Sequence, residues 1–238
     1  MWTKTQIKQH TKVAKLLYKI KDAAFKYIHQ GVSEYEVQQF ILKQFKRYGL
    51  KTDRDKPIVA FKQNTGLVHY FPKKKSKRLQ KNSMILIDIW ARLKQGGPYA
   101  DITWMAYYGK PTKKEQEIFN IVIKARNKAL SHLKKQVTKG KIPTGYTINK
   151  IAKDVIDSYG YLKNFDHFTG HSLGNYSPHG NRAGLRPSNK KKLLNMGYTI
   201  EPGIYLKNKF GARSEINVYL QKRKVILTTP MQKKLVKI

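Results

Sequence analysis

The sequence predicts an α/β protein in which helices alternate with pairs of buried strands. Apolar residues recur at helical spacing in four segments bounded by start or stop signals. Two other stretches, near residues 84–104 and 197–220, have the apolar, β-branched character of buried strands. With 238 residues and 40% apolar composition, the chain can bury a substantial core, which argues against a disordered protein.

The first two helices are predicted at the start of the chain. Residues 5–30 carry apolar side chains close to the helical period, and Gly31 ends this segment. Ser33, with a glutamate three residues later, forms a capping box that begins a second helix, which ends at Gly49. A short strand candidate follows at residues 58–61.

Two more helices are predicted in the middle of the chain. Pro111 and Thr112 are start signals for a long helix, and Gly140 is its stop signal. A further helix is predicted from about residue 147 to residue 159, ending at Gly160. None of these helices carries clustered polar chemistry, so we interpret them as scaffold.

The first strand pair contains two carboxylates. Residues 84–90 form a buried strand with Asp88 at its centre, and an isolated buried charge is costly unless it is paired or binds a metal. A hairpin with its turn near Lys94 and Gln95 would place Asp88 opposite Asp101, where like charges repel. The first hairpin is therefore predicted to bind a cation.

The last third of the chain repeats this arrangement. Residues 197–206 predict a strand broken at a Pro-Gly pair, and residues 213–220 predict its partner. A hairpin centred at Asn208 would place Glu201 opposite Glu215. Two hairpins with paired carboxylates are harder to ascribe to coincidence than one.

Histidines lie between the two hairpins. His167, His171 and His179 are close in sequence, and the glycines among them favour an extended or looped path over a helix. Taken alone, this segment is either a surface loop with incidental histidines or a source of ligands and acid–base groups. His69, between apolar neighbours, is by its position more typical of a hydrogen-bonded core residue than of a catalytic one.

Four carboxylates and an imidazole make a hard, oxygen-rich donor set. Such a set suits manganese, iron, cobalt or magnesium better than a structural zinc. It is large enough for two ions that share bridging carboxylates about 3.5–4 Å apart, an arrangement that acidifies a bridging water to hydroxide near neutral pH. The additional histidines would bind or protonate the tetrahedral intermediate.

These residues lie in recognisable motifs: Ile-Asp-Ile-Trp, Tyr-Ala-Asp-Ile-Thr, Thr-Gly-His-Ser-Leu-Gly, Ile-Glu-Pro-Gly-Ile-Tyr and Arg-Ser-Glu-Ile-Asn. Their combination and order resemble the M24 metallopeptidase family of methionine aminopeptidase, aminopeptidase P, prolidase and creatinase. The resemblance covers essentially the whole chain. It implies the pita-bread fold, two pseudo-symmetric halves with curved antiparallel sheet flanked by helices. It also implies one catalytic domain over residues 1–238, without the separate N-terminal domain of many Xaa-Pro peptidases.

The resemblance implies roles for the motif residues. Asp88 would hold one of two divalent ions, Asp101 and Glu215 would bridge both, and His171 and Glu201 would complete the second. Glu201 would also shuttle the proton of a metal-activated hydroxide. Among Mn²⁺, Co²⁺, Fe²⁺ and Zn²⁺, we expect Mn²⁺.

The same resemblance implies a set of substrate contacts. His69, His167 and His179 match histidines that act in catalysis and contact the substrate, and Tyr205 and Arg213 are expected to line the substrate site. Two departures from the family pattern bear on specificity. Gly180 stands where the family often has glutamate, and Ile216 stands where it often has an acid.

The expected activity is that of an exopeptidase acting on the N-terminal bond of Xaa-Pro peptides. The motifs leave three alternatives: a methionine aminopeptidase, a creatinase-like hydrolase of a small non-peptide amide, and a non-catalytic binding protein for RNA or ribosomes. Retention of all the ligand residues argues against the last two. The motifs do not determine the oligomeric state, so a monomer and a homodimer are both compatible with the sequence.

The charge of the chain bears on its partners. Its 49 Lys and Arg against 14 Asp and Glu give a formal charge of +35, which predicts non-specific, salt-sensitive attraction to polyanions. Lysine is spread over every segment, however, so a compositional origin is the stronger interpretation. The run at residues 73–78 is interpreted as a solvated loop.

No membrane span or signal peptide is predicted, so we expect a cytoplasmic protein. The lack of cysteine excludes disulfides.

Overall fold

The computed structural model describes residues 1–181 and 184–238, and its helices lie where the apolar periodicity predicts them. The α-helices are α1 (Lys4–Tyr27), α2 (Glu34–Arg47), α3 (Lys113–Thr138) and α4 (Gly145–Asp157). Short 3-10 helices span Lys62–Gly66 and Leu162–Asn164. No helix in these described ranges combines the length and apolar composition needed to cross a bilayer.

The predicted start of α2 is confirmed, whereas that of α4 is displaced. The Ser33 hydroxyl accepts a hydrogen bond from the Glu36 backbone N–H at 3.1 Å, and the Glu36 carboxylate accepts one from the Ser33 N–H at 2.7 Å. Helix α4 begins at Gly145 because Thr144 caps it. A Cβ at Gly145 would lie 2.1 Å from the Gly184 carbonyl oxygen, so this close approach requires glycine.

The strands form three sheets within the described residues. They are β1 (Leu50–Lys51), β2 (Ile58–Phe61), β3 (Ser83–Leu93), β4 (Ala100–Tyr108), β5 (Gly197–Ile200), β6 (Gly203–Leu206), β7 (Phe210–Arg213), β8 (Ile216–Gln221), β9 (Lys224–Leu227) and β10 (Val236–Lys237). In the first sheet β3 pairs with β1, β2 and β4, and β10 runs parallel to β4. The second has the order β5-β8-β9, and the third is the pair β6-β7. A helix pair followed by antiparallel strands therefore occurs twice along the chain.

The predicted register of the first hairpin is wrong by two residues. Asp88 lies opposite Thr103, and Asp101 lies opposite Trp90. The cause is that β3 stops pairing with β4 at Ala91 and continues against β1, so the connection is longer and its centre shifts. Because the shift is an even number of residues, Asp88 and Asp101 still project from the same face of the sheet, as diagonal neighbours.

The second hairpin has the predicted register but is interrupted on both strands. Ile200 lies opposite Ile216 and Gly203 opposite Arg213, so the same register on both sides of the gap places Glu201 opposite Glu215. The predicted break at Pro202 is confirmed. A matching break at Ser214 and Glu215 on the partner strand was not predicted.

The two faces of the β3–β4 pair contact different cores. Alternate residues such as Ile85, Ile87 and Ile102 pack with α1 and α2. The opposite face, including Leu86 and Met105, packs against α3, α4 and the strands of the second half. Asp88 and Asp101 share this second face, so the fold directs both carboxylates to the junction between the two halves of the chain.

A buried glutamate organises the segment that leads to His69. Glu34, at the start of α2, is fully buried. Its carboxylate accepts hydrogen bonds from the backbone N–H of Phe61 at 2.7 Å, the Asn64 side-chain amide at 2.9 Å and the Tyr70 hydroxyl at 2.6 Å. Asn64 and Tyr70 flank His69 in the sequence, so their hydrogen bonds to Glu34 fix the path of the loop that carries His69.

We expect Glu34→Ala to lower the free energy of unfolding by about 2–3 kcal/mol, because it leaves buried donors without an acceptor. Urea unfolding followed by tryptophan fluorescence measures the loss. Glu36→Ala is the matched control, since Glu36 caps the same helix but its side chain is 45% exposed. An equal loss in the two variants would contradict an organising role for Glu34.

Candidate metal centre

The predicted ligands meet where the two halves of the chain join. At the break in the second hairpin, the Glu215 backbone N–H donates to the Thr103 carbonyl oxygen at 3.3 Å, which links it to β4. The Glu201 N–H donates to the Thr169 carbonyl oxygen at 2.7 Å, which links it to the segment carrying His171. Because each strand is interrupted at its glutamate, the backbone N–H groups of the two glutamates bond to other segments of the site instead of to each other's strand.

Side-chain atoms from both halves converge at this junction. One ligand atom each from Asp101, His171 and Glu215 lies within 4.8 Å of the others, close enough to share a metal ion. His171 Nε2 lies 3.2 Å from Glu201 Oε1 and 3.7 Å from Asp101 Oδ2. Asp88 lines the same cavity as these residues.

His171 is held with one nitrogen directed at the carboxylates. The segment around it is extended and looped rather than helical, as predicted. Its Nδ1 lies 3.1 Å from the Ser172 carbonyl oxygen, which can only accept, so Nδ1 carries the proton and Nε2 keeps its lone pair. Burial lowers the pKa of His171 to about 4, so the imidazole is neutral at physiological pH, the form that binds a metal.

The carboxylates at the site are crowded and short of hydrogen-bond donors. Burial raises the pKa of Glu201 to about 7, and burial together with neighbouring carboxylates raises the pKa of Asp101 and of Glu215 well above the usual range. Asp88 Oδ1, Asp101 Oδ1 and Glu215 Oε1 are buried and accept no hydrogen bond from the described residues. Buried carboxylate oxygens without donors are costly unless a cation binds them, so the donor set fits divalent metal.

Arg213 and Thr103 hold the carboxylates in place. Arg213 Nη2 donates to Asp88 Oδ2 in a buried ion pair, and its Nε donates to the Thr103 hydroxyl at 3.1 Å. The Thr103 hydroxyl in turn donates to Glu215 Oε2 at 3.0 Å. Thr103 was missed in the sequence, although its position two residues after Asp101 on one strand places it on the same face.

Two further supporting residues were also missed. The Asn217 side chain accepts from the Asp101 backbone N–H at 2.9 Å and donates to the Asp101 carbonyl oxygen at 2.7 Å, which fixes β4 against β8. The Thr199 hydroxyl donates to Glu201 Oε1 at 2.8 Å and accepts from the His171 backbone N–H at 2.9 Å. The contacts of Asn217 with Asp101 and of Thr199 with His171 join segments that are distant in the chain, so no local sequence pattern signals them. The contact of Thr199 with Glu201 joins residues two apart.

The predicted substrate residues surround the carboxylates. His179 packs edge-on against His171, with ring centroids 4.2 Å apart. His167 Nδ1 donates to the Phe168 carbonyl oxygen at 2.7 Å, so its Nε2 accepts from the Tyr205 hydroxyl at 2.7 Å. Burial, with the nearby Arg213 charge, lowers the pKa of His167 to about 3 and also lowers the pKa of His69. These histidines are therefore neutral at pH 7.

Two cavities meet at the junction. One has a volume of about 440 Å³ and includes the carboxylates and Trp90 in its lining, and the other has a volume of about 410 Å³ and includes Phe168 and Arg186. All of the predicted site residues except Tyr205 line one or both of them. The residues that the two cavities share are His69, His171, His179, Glu201 and Arg213. A ligand can therefore occupy space on both sides of these shared side chains.

Comparisons with known proteins agree with this geometry. Residues 8–222 match the sequence profile of metallopeptidase family M24. An uncharacterized peptidase of Staphylococcus epidermidis is 30% identical in an alignment of 226 residues that covers 93% of this chain and 60% of that protein. An uncharacterized peptidase of Staphylococcus aureus is 32% identical over 215 residues, which are 90% of this chain and 58% of that protein.

Solved structures give the same result for the fold. A prolidase from Thermococcus sibiricus matches with a TM-score of 0.88 and 29% identity, covering 100% of this chain and 62% of that one. An X-Pro aminopeptidase from Thermotoga maritima matches with a TM-score of 0.87 and 25% identity, covering 100% of this chain and 64% of that one. The chain thus spans about 60% of the length of the relatives that it matches.

Proposed function

The chain belongs to metallopeptidase family M24, and from that membership we propose that it is a two-metal exopeptidase that releases the first residue of Xaa-Pro peptides. The predicted pita-bread fold is confirmed by the family match and by the likeness to solved prolidase and aminopeptidase structures. The observation that carries the proposal is the convergence of buried, donor-poor carboxylates and a neutral histidine between two cavities.

The donor set is large enough for two ions. Asp88, Asp101, His171, Glu201 and Glu215 would hold them, with Asp101 and Glu215 as the bridging ligands. When bound, the ions supply a Lewis acid that polarises the peptide carbonyl and acidifies water. Because oxygen donors dominate the set and thiolates are absent from the chain, we infer Mn²⁺ as the preferred ion.

Glu201 is placed to move a proton in the reaction. Its Oε1 accepts from Thr199 and lies beside His171, so Oε2 is the oxygen left to take a proton. Burial raises the pKa of Glu201 in the metal-free site, so this carboxylate is a stronger base than an exposed glutamate. Glu201 would accept a proton from attacking water and return it to the departing amine.

Neutral histidines would orient the scissile peptide. His69 and His179 line both cavities, and each can donate an N–H to the peptide carbonyl as negative charge develops on its oxygen. The proline preference rests on likeness to relatives: the structures that match include prolidases and Xaa-Pro peptidases.

Hydrolysis of short peptides tests the proposal. With added Mn²⁺ or Co²⁺, we expect turnover of Xaa-Pro dipeptides or tripeptides that exceeds turnover of Met-Ala peptides, measured by release of the first amino acid. Asp101→Asn is the control for dependence on the site. Failure to cleave any of these peptides by protein shown to contain metal would overturn the proposal, and cleavage of Met-Ala alone would favour a methionine aminopeptidase.

A further inference from the structure

One wall of the larger cavity carries an acid that takes no part in the metal site. Asp53 lies on the connection between β1 and β2 and is partly buried. Its Oδ1 accepts from the Trp90 indole N–H at 2.9 Å, and its Oδ2 accepts from the Ser177 hydroxyl at 3.5 Å. The carboxylate is therefore held between β3 and the segment that leads to His179.

The charge of Asp53 is not neutralised by any basic side chain of the described residues. Its donors are the Trp90 indole, the hydroxyls of Thr52 and Ser177 and the Asp55 backbone N–H, all of which are neutral. It forms no ion pair in the part of the chain that the structure describes. Asp55, two residues away on the same cavity wall, does have a basic neighbour, with Arg54 Nε 3.8 Å from its Oδ2.

The location of Asp53 relates it to the reaction centre. Asp53 lines the same cavity as Asp101, His179 and Glu201. Burial is the main cause of the raised pKa of Asp101, and the negative charge of Asp53 raises it further. Burial lowers the pKa of His179, and the charge of Asp53 partly offsets that decrease. Trp90, which holds Asp53, is part of the apolar lining beside it.

We propose that Asp53 binds the α-ammonium group of the substrate's first residue and thereby selects peptides with a free N-terminus. An exopeptidase must recognise the chain end, and a carboxylate that lines the cavity without a basic partner is a suitable acceptor for an ammonium group. Asp88 is less suited to this role because it is already paired with Arg213. This inference rests on the proposed function, since it assigns one end of the peptide to this cavity.

The experiment separates binding from turnover. Calorimetry on the Mn²⁺-loaded Glu201→Gln variant measures the dissociation constants of leucyl-proline amide and of 4-methylpentanoyl-proline amide, which lacks only the α-amino group. We expect the free amine to bind about tenfold to a hundredfold more tightly, the range for a hydrogen bond to a charged group. Adding Asp53→Asn should remove most of this preference, because the asparagine oxygen still accepts from Trp90 but the charge is gone.

The control is Asp55→Asn, which removes the neighbouring carboxylate and should keep the preference. Asp53→Ser provides a second uncharged variant in case asparagine disturbs the loop, and near-ultraviolet circular dichroism checks the packing of Trp90. No binding of either amide, equal binding of both, or an unchanged preference after Asp53→Asn and Asp53→Ser would overturn the inference. An Asp53-dependent preference in a metal-loaded wild-type protein that hydrolyses no peptide would instead overturn the proposed function.

Discussion

Glu201→Gln is expected to lower turnover of an Xaa-Pro peptide by about a hundredfold to ten-thousandfold, the usual contribution of a positioned acid–base group. The glutamine keeps the size of the side chain and can still accept from Thr199, but it cannot take up a proton. The measurement is kcat and KM with metal content determined on the same sample. A loss in kcat with metal retained would identify proton transfer, rather than ligand loss, as the cause.

The control for this variant is Glu117→Gln on the surface of α3. Glu117 contacts Lys114 at 3.2 Å, and its side chain is 46% exposed, so activity should stay at the wild-type level. Near wild-type turnover by metal-loaded Glu201→Gln would remove Glu201 from the catalytic role and would point to a histidine as the proton carrier.

Local patterns predicted most elements of the fold. The capping box at Ser33, the helical period of α1 and α3, and the break at Pro202 are properties of a few consecutive residues, and the structure confirms them. The register of the second hairpin was also predictable, because its turn is short and symmetric about Asn208.

Features set by distant contacts were not predictable in this way. The first hairpin was misplaced because β3 changes partner from β4 to β1 at Ala91, a competition that no local pattern shows. The start of α4 was misplaced for a local reason instead, because Thr144, which caps the helix, was overlooked as a start signal. The alternation of side chains in strands nevertheless preserved the shared face of Asp88 and Asp101, so the prediction of a cation site survived the error in register.

The supporting groups of the site show the same division. The motifs identified the candidate ligands, but not the polar groups that hold them. The Asn217 side chain forms hydrogen bonds with the Asp101 backbone and so joins two sheets. The Thr103 hydroxyl accepts a hydrogen bond from Arg213 and donates one to Glu215. Such groups become visible only when the packing of the two halves is known, since their role depends on a partner far away in the chain.

Addition of Mn²⁺ to metal-free protein is expected to raise the melting temperature by about 5–10 °C. A ligand present at a hundred times its dissociation constant stabilises the folded state by about 2.7 kcal/mol, and each kcal/mol corresponds to about 2–4 °C for a domain of this size. The physical reason is that the ion neutralises the buried carboxylates of Asp101, Glu201 and Glu215, whose pKa values are raised by burial and mutual repulsion.

The melting shift should be larger at pH 8 than at pH 6.5. A carboxyl with a folded pKa above its unfolded value stabilises the folded state fully below the unfolded pKa, and this contribution is lost as pH rises through the folded pKa, about 7 for Glu201. Metal must displace the protons held at lower pH, so its apparent affinity rises with pH over the same interval. His171, with a pKa lowered by burial to about 4, is neutral at both values and adds no opposing trend.

Differential scanning calorimetry with and without Mn²⁺ at the two pH values measures the effect. Asp101→Asn should abolish most of the shift, while its metal-free form should melt no lower than metal-free wild type at pH 8, because one of the repelling charges is gone. Asp157→Asn, at the exposed end of α4, is the matched control and should keep the full shift. A shift that is equal in wild type and Asp101→Asn, or that is larger at pH 6.5, would place the stabilising ion outside this cluster of carboxylates.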